Sequence, residues 1–357
     1  MNIGIPRERR PDENRVGLTP AGVELLTAAG HQCYVERGTG AGIDFRDEDY
    51  AAAGAQIVYS GEETYGRADL VVKVARPTAE ELQWLRPEQM VMAFWHLASA
   101  SPDNLEVLQA RHITAIAYEA IQTEDGQLPV LRPMSQIAGR MAAHIAASLL
   151  QNERGGKGIL LGGQAGIPPA QVVILGAGTA GLSAAQAFVG AGASVYVLDK
   201  DLSRLERFSE RAPHAITMIS HPANLRKAMR FADVLVGAVL VPGQRAPVLV
   251  TREMVQEMRP RSVIIDIAIN EGGSVETSRP TTHQNPTFIE ENIIHYCVPN
   301  MPGAVGRTAT HALNNVTWPF ILEVATAGLE AALDKQPALA RGTVTRAGQV
   351  LAEGLQL

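Results

Sequence analysis

QVVILGAGTAGLSAAQAFVGAGASVYVLD, residues 171–199, decides the fold. An apolar run ends at Leu175, the chain turns through Gly176-Ala177-Gly178-Thr179-Ala180-Gly181, and an alanine-rich helical stretch leads to a second apolar run that closes on Asp199. Strand, glycine turn, helix and strand in this order make a βαβ unit. The GxGxxG pattern alone is weak evidence in a chain with 33 glycines, so its flanks carry the weight. Gly176 permits the tight turn, Gly178 lets backbone approach a pyrophosphate, and Gly181 lets helix and strand pack closely. The amides of the helix N-terminus, at Thr179 and Ala180, then meet the phosphate charge. Asp199 is placed to accept hydrogen bonds from ribose hydroxyls and to repel a 2′-phosphate, which favours NAD over NADP; the adjacent Lys200 acts against that preference.

Downstream, apolar runs at 216–219, 233–239, 264–269 and 295–298 bring the expected strands of this domain to six, the number of a full doubly wound dinucleotide fold. Ligands of such sheets lie outside the carboxyl ends of the strands. That rule selects Gly237–Leu240, with Val239 and Leu240, and Ile267–Asn270 as lining. SVIIDIAINEGG, residues 262–273, reads as a strand running to Asn270 and stopped by Glu271, Gly272 and Gly273.

The first third also alternates strands and helices. Strands are expected at Asn2–Ile5, Cys33–Glu36, Gln56–Tyr59, Val71–Val74, Met90–Phe94 and Thr114–Tyr118, with a helix after the Thr19-Pro20 start signal. This spacing predicts a second parallel sheet with helices on its faces. A long apolar-striped helix over 135–151 marks the domain boundary. The expected organisation is residues 1–134 as a substrate domain, 135–306 as a Rossmann domain, and 307–357 as a helical segment packing back on the first.

At 357 residues two domains are the default, and 46% hydrophobic with 19% charged residues is globular. A net charge of -6 lacks the basic face that nucleic acid requires. Cys33 and Cys297 match no metal spacing and read as reduced buried thiols. MNIGIPRERR lacks a signal peptide's apolar region, and no apolar run reaches the roughly 18 residues of a membrane span. A cytoplasmic protein is expected. Two polar residues stand out in the first domain, Arg15 in a loop after the first strand and His96 ending an apolar strand. Singly, each reads as an ordinary surface arginine and a satisfied loop histidine.

Together with their surroundings they read differently. PRE…NRVGLTPAG (6–22), the VVKV–P segment (71–77), FWHLA (94–98), RPMSQIAGRMA (132–142), GGKGILLGGQAG (155–166), GAVLVPG (237–243), ETSRPTTH (276–283) and YCVPNMPGAVGRTATHAL (296–313) resemble the alanine dehydrogenase family. That family shares its fold with the nicotinamide-nucleotide transhydrogenase α chain. The resemblance covers nearly the whole chain. It implies a hexameric NAD-dependent enzyme with its site in the cleft between two doubly wound domains. Arg15 would grip the substrate carboxylate, with Lys73, Ala75 and Asn300 also at the substrate. His96 would bond the carbonyl of the 2-oxo acid and transfer protons. Ser135, Asp199, Ser220, Val239, Leu240, Ile267, Ile269, Asn270, Val298 and Met301 would hold the cofactor.

Two positions depart from the family's pattern. A second lysine follows the first by two residues in the family, where this chain reads Lys73-Val74-Ala75. The family's DIAID ends in an aspartate that acts in the chemistry, where this chain has Asn270. One cation and one anion are lost, which predicts a neutral, retuned pocket for alanine or a related amino acid. Two other readings stay open: a catalytically impaired NAD-binding homologue with a regulatory role, and a transhydrogenase-like subunit.

Overall fold

The computed structural model describes residues 1–97 and 102–351. Six strands open the chain: β1 (Asn2–Ile5), β2 (Gln32–Glu36), β3 (Gln56–Val58), β4 (Leu70–Ala75), β5 (Met90–Phe94) and β6 (Thr114–Ala117). Seven follow: β7 (Gln171–Leu175), β8 (Ser194–Asp199), β9 (Ile216–Ile219), β10 (Val234–Gly237), β11 (Val263–Asp266), β12 (Thr287–Glu290) and β13 (Ile293–Tyr296). Two short strands come last, β14 (Thr343–Arg346) and β15 (Gln349–Val350). They divide between two compact units, one of Met1–Met134 with the chain from Gly303 onward, the other Ser135–Pro302.

In the first unit the sheet order is β15-β14-β6-β5-β4-β1-β2-β3, parallel from β6 to β3. The order 3-2-1-4-5-6 is that of a doubly wound sheet, and it reverses between β1 and β4. Strands of such sheets are covered on both faces and read as continuous apolar runs. β4 obeys that rule except at Lys73, whose side chain is fully buried. The second unit repeats the plan as β9-β8-β7-β10-β11-β13-β12, with its reversal between β7 and β10. Val172, Ile174, Val197, Val234 and Val236 face one core, which the helix Leu131–Leu149 covers through Ala138, Ala142 and Ala146. Val173, Leu175, Leu235 and Ile264 face the other.

Three expectations need correction. The run 264–269 is not one strand: β11 stops at Asp266, and Ile267–Glu271 form a 3-10 turn. The reason is Asp266, whose buried carboxylate accepts from Ala268 N (3.2 Å), Ser274 N (2.8 Å) and Val275 N (3.2 Å). Side-chain bonds to nearby backbone compete with the ladder and turn the chain out of the sheet. Next, the strand placed at 295–298 is β13, two residues earlier, and it carries an antiparallel partner, β12, that makes a seventh strand. Their hairpin turns through Glu291 (φ 51°) and Asn292 (φ 60°), a pair of left-handed residues without the glycine that usually advertises such a turn. Finally, the end of the chain is not helical throughout. After Gly306–Ala327, Leu329–Lys335 and Pro337–Gly342, β14 adds antiparallel to β6.

Candidate active site

In the second unit the site starts from the glycine turn, whose three glycines do three different things. Gly176 has φ +103°, and a Cβ there would lie 2.5 Å from Ala238 O. A Cβ on Gly181 would lie 1.9 Å from Gly176 O. A Cβ on Gly178 would meet nothing within 4 Å. Gly176 and Gly181 serve the fold, whereas Gly178 keeps space open at the N-cap of the helix Thr179–Gly190. That helix has no side-chain cap and no acid in its first turn, so its leading amides are left for an anion. These features fit a dinucleotide pyrophosphate.

The distinction is testable. Gly181→Ala should destabilise the fold, toward the upper end of the about 1–3 kcal/mol that overpacking costs. Gly178→Ala should leave the thermal midpoint unchanged and weaken NADH binding. Denaturation and NADH titration of both variants check this; equal loss of stability in the two would show that Gly178 is merely structural.

Asp199 ends β8 with 8% exposure. Its Oδ2 accepts from Ala177 N at 2.8 Å, inside the turn, and Oδ1 accepts from Asp201 N at 3.0 Å. A carboxylate has about four acceptor positions, so this leaves two for ribose hydroxyls. Ser220 follows β9 and donates its amide to Asp199 O at 2.8 Å. Val239 lies beside Gly176, where an added Cβ would find its Cγ1 at 3.3 Å. Leu240 is 39% exposed and Ser135 is half-buried. Ile269, Val298 and Met301 are buried at 4%, 2% and 2%, so only backbone or side-chain edges remain for a ligand, while Ile267 is partly exposed. Asn270 comes beside Asn300: its Oδ1 accepts from Asn300 N at 3.2 Å. A carboxylate could accept the same bond, so this contact does not select the amide. Asn300 has φ 59°, and its carbonyl faces His283 Nε2 at 3.3 Å.

In the first unit the candidates gather at the carboxyl ends of β1, β4, β5 and β6. Arg15 is 5% exposed, with Nε and Nη2 donating to Glu13 at 2.7 and 2.5 Å and Nη1 reaching Met134 Sδ at 3.3 Å. Such a bidentate pair fixes the guanidinium plane and leaves further N–H donors. Ala75 pairs across the sheet with Phe94. The Phe94 ring stacks on His96 at 5.9 Å and meets Tyr118 edge-on at 5.4 Å.

His96 sits at φ 45°, a left-handed conformation that a non-glycine residue holds only under constraint. The constraint is visible. Glu119 accepts from Trp95 N (3.1 Å) and His96 N (2.5 Å), and Arg76 Nη1 donates to Trp95 O (3.1 Å) and His96 O (3.4 Å). Glu119 and Arg76 thus fix the backbone that carries the imidazole, and sequence reasoning missed Glu119.

Lys73 does not face solvent. Its ammonium is fully buried, 2.7 Å from Glu81 Oε1 and 3.2 Å from Glu8 Oε2. Burial pulls its pKa down, but the two carboxylates outweigh that and the pKa ends raised. Glu8 also accepts from Val74 N at 2.6 Å, and burial lifts its pKa. Lys73 therefore bears on the site through Glu8. On the Ala75 side Glu8 stands against the backbone, its Oε2 accepting from Ala75 N at 3.4 Å. Glu8, Glu13 and Glu81 were all missed; Glu81 announced itself only as the last residue of a Thr78-x-x-Glu81 helix cap.

A dinucleotide turn in one doubly wound unit, and an arginine and a constrained histidine on the strand ends of another, define a two-unit dinucleotide-dependent protein. The sequence narrows this. The model for the alanine dehydrogenase/PNT N-terminal domain matches residues 4–138, that for the C-terminal domain matches 142–353, and the chain belongs to this family. It is 45% identical over 357 residues to an alanine dehydrogenase of Methanococcus maripaludis, covering 99% of this chain and 95% of the relative. A solved L-alanine dehydrogenase superposes with TM-score 0.92 at 42% identity, covering 100% of this chain and 98% of that one. A transhydrogenase from Sinorhizobium meliloti, with TM-score 0.81 at 23% identity over 99% and 100% of the two chains, shares the fold.

Proposed function

We propose that the protein is an NAD-dependent amino-acid dehydrogenase. It would interconvert L-alanine, or a related amino acid, and water with the 2-oxo acid and ammonia. The similarity to an alanine dehydrogenase over 99% of the chain carries this reading. NAD supplies the hydride acceptor when bound. Arg15, held planar by Glu13, offers its remaining donors to the substrate carboxylate. His96 moves the proton, since an imidazole changes charge near neutral pH. Asn270 and Asn300 act together, the one holding the backbone of the other.

Cofactor choice is a direct test. Asp199 should make NADH bind more tightly than NADPH, and fluorescence titration of both reads the ratio. Equal affinity, or preference for NADPH, would remove Asp199 from the role given to it. No described helix is long and apolar enough to cross a membrane. We take the enzyme to be a cytoplasmic homohexamer, as its resemblance to the family implies; light scattering gives the subunit number.

A further inference from the structure

The buried charges at the substrate edge of the first sheet do not balance. Glu8, Glu13 and Glu81 expose 2%, 2% and 1% of their side chains, against 0% for Lys73 and 5% for Arg15. Arg15 and Glu13 form one pair. Lys73 alone serves both Glu81 and Glu8, and Glu8 is the more distant. Among these five side chains carboxylates outnumber cations by one, and Glu8, the more distant from the ammonium, lies where the backbone amides of Val74 and Ala75 approach it at 2.6 and 3.4 Å.

A second, independent feature adjoins it. The Tyr118 ring is fully buried against Phe94, the cross-strand partner of Ala75. Its hydroxyl has no hydrogen-bond partner among the described residues. Burial first, and then the charge of Glu8, raise the pKa of that phenol, so Glu8 is the charged group whose field it feels. Buried hydroxyls are nearly always partnered, and exceptions call for a reason. Ala75, whose amide approaches Glu8 and whose cross-strand partner is Phe94, contributes only a half-buried methyl.

We propose that Glu8, the Tyr118 hydroxyl and the small side chain of Ala75 form a receptor for a primary ammonium, and that the preferred amino acid carries a second amino group on its side chain. The inference rests on the amino-acid dehydrogenase reading above. An ammonium brings three donors and one positive charge. It neutralises the surplus carboxylate and gives the phenol oxygen a donor. One carboxylate and one phenol are too few oxygens for a calcium or magnesium ion, which takes about six or more. Protonation of Glu8 would remove the charge without any ligand, and the experiment separates the two.

Calorimetric binding to the NADH-loaded protein tests it with four pairs of equal carbon chain: 2,3-diaminopropionate and alanine, 2,4-diaminobutyrate and 2-aminobutyrate, ornithine and norvaline, lysine and norleucine. At least one diamino acid should bind about tenfold or more tighter than its neutral partner, as a hydrogen bond to a charged group implies. Glu8→Gln keeps an oxygen for Val74 N and should abolish the preference. Ala75→Lys should abolish it too, by placing the chain's own ammonium there. Equal or weaker binding of every diamino acid, or a preference that survives both substitutions, overturns the proposal. NAD reduction by neutral amino acids without any diamino preference defeats the receptor alone. Selective binding without turnover of any amino acid defeats the dehydrogenase reading and leaves the receptor standing.

Discussion

His96→Ala is expected to lower kcat on the best substrate by about 10²–10⁴-fold, the usual cost of removing a general acid–base group. NADH affinity should stay close to that of the wild-type protein, because His96 belongs to the first unit and the glycine turn to the second. The left-handed backbone at His96 adds a second expectation. Alanine adopts that conformation no more readily than histidine, so Glu119 and Arg76 still carry the strain and the fold should persist. Glu119→Gln keeps an oxygen for one of the two backbone amides and should lower kcat less than His96→Ala does. Steady-state kinetics of both variants with NADH titration decide this. A His96→Ala enzyme that retains most of its turnover would show the histidine to be structural.

Lys73→Met is expected to destabilise the protein by about 3–5 kcal/mol, the range for breaking a buried ion pair on one side only. It leaves Glu8 and Glu81 buried without their shared ammonium. The sign of the pH dependence follows from the two raised pKa values. Lys73 lies above its unfolded value, so its contribution is fully present below about pH 10 and fades only as pH rises through the folded pKa. Glu8 also lies above its unfolded value, so its ionisation costs stability as pH rises above the ordinary carboxylate range. The deficit of Lys73→Met should therefore shrink under mildly acid conditions, where Glu8 takes a proton. Adding Glu8→Gln and Glu81→Gln should recover much of the loss at neutral pH. Chemical denaturation of the variants at two pH values measures both effects, and a deficit that ignores pH would show that charge is not its source.

Much of the fold was legible because two simple periodicities write it. Continuous apolar runs marked the buried parallel strands, and Gly176, Gly178 and Gly181 occur where only their conformation or their lack of a side chain serves. The losses occur where side chains act on backbone. Asp266 folds the chain into a turn through local hydrogen bonds, and no hydropathy pattern reports that. The Glu291-Asn292 hairpin lacks glycine, so β12 was invisible. At the candidate site, Arg15 and His96 could be nominated because the segments that carry them resemble a known family. Their supports could not. Glu13 and Glu119 look like ordinary surface charges, and the partner of Glu119 is fixed by strand order: His96 and Glu119 follow strands β5 and β6, which lie side by side. Lys73 shows the same limit in reverse. It was nominated through the resemblance, but only Glu8 and Glu81, brought from two other segments, reveal that its charge is already engaged.

The departures at Ala75 and Asn270 lie in different surroundings. Asn270 sits in the 3-10 turn Ile267–Glu271 and accepts from Asn300 N, a bond that amide and carboxylate could both accept. Ala75 brings its backbone amide to 3.4 Å from Glu8, a buried acid that shares the Lys73 ammonium with Glu81. On the receptor proposed above, the loss at Ala75 would alter which side chain the substrate can present, whereas the loss at Asn270 would alter the ionisable groups available near Asn300.

NADH oxidation with ammonia and a panel of 2-oxo acids, pyruvate among them, tests the central claim most directly. The account predicts oxidation that requires ammonia and a 2-oxo acid together, and that is lost in His96→Ala. NADH that binds but is not oxidised with any member of the panel would contradict it.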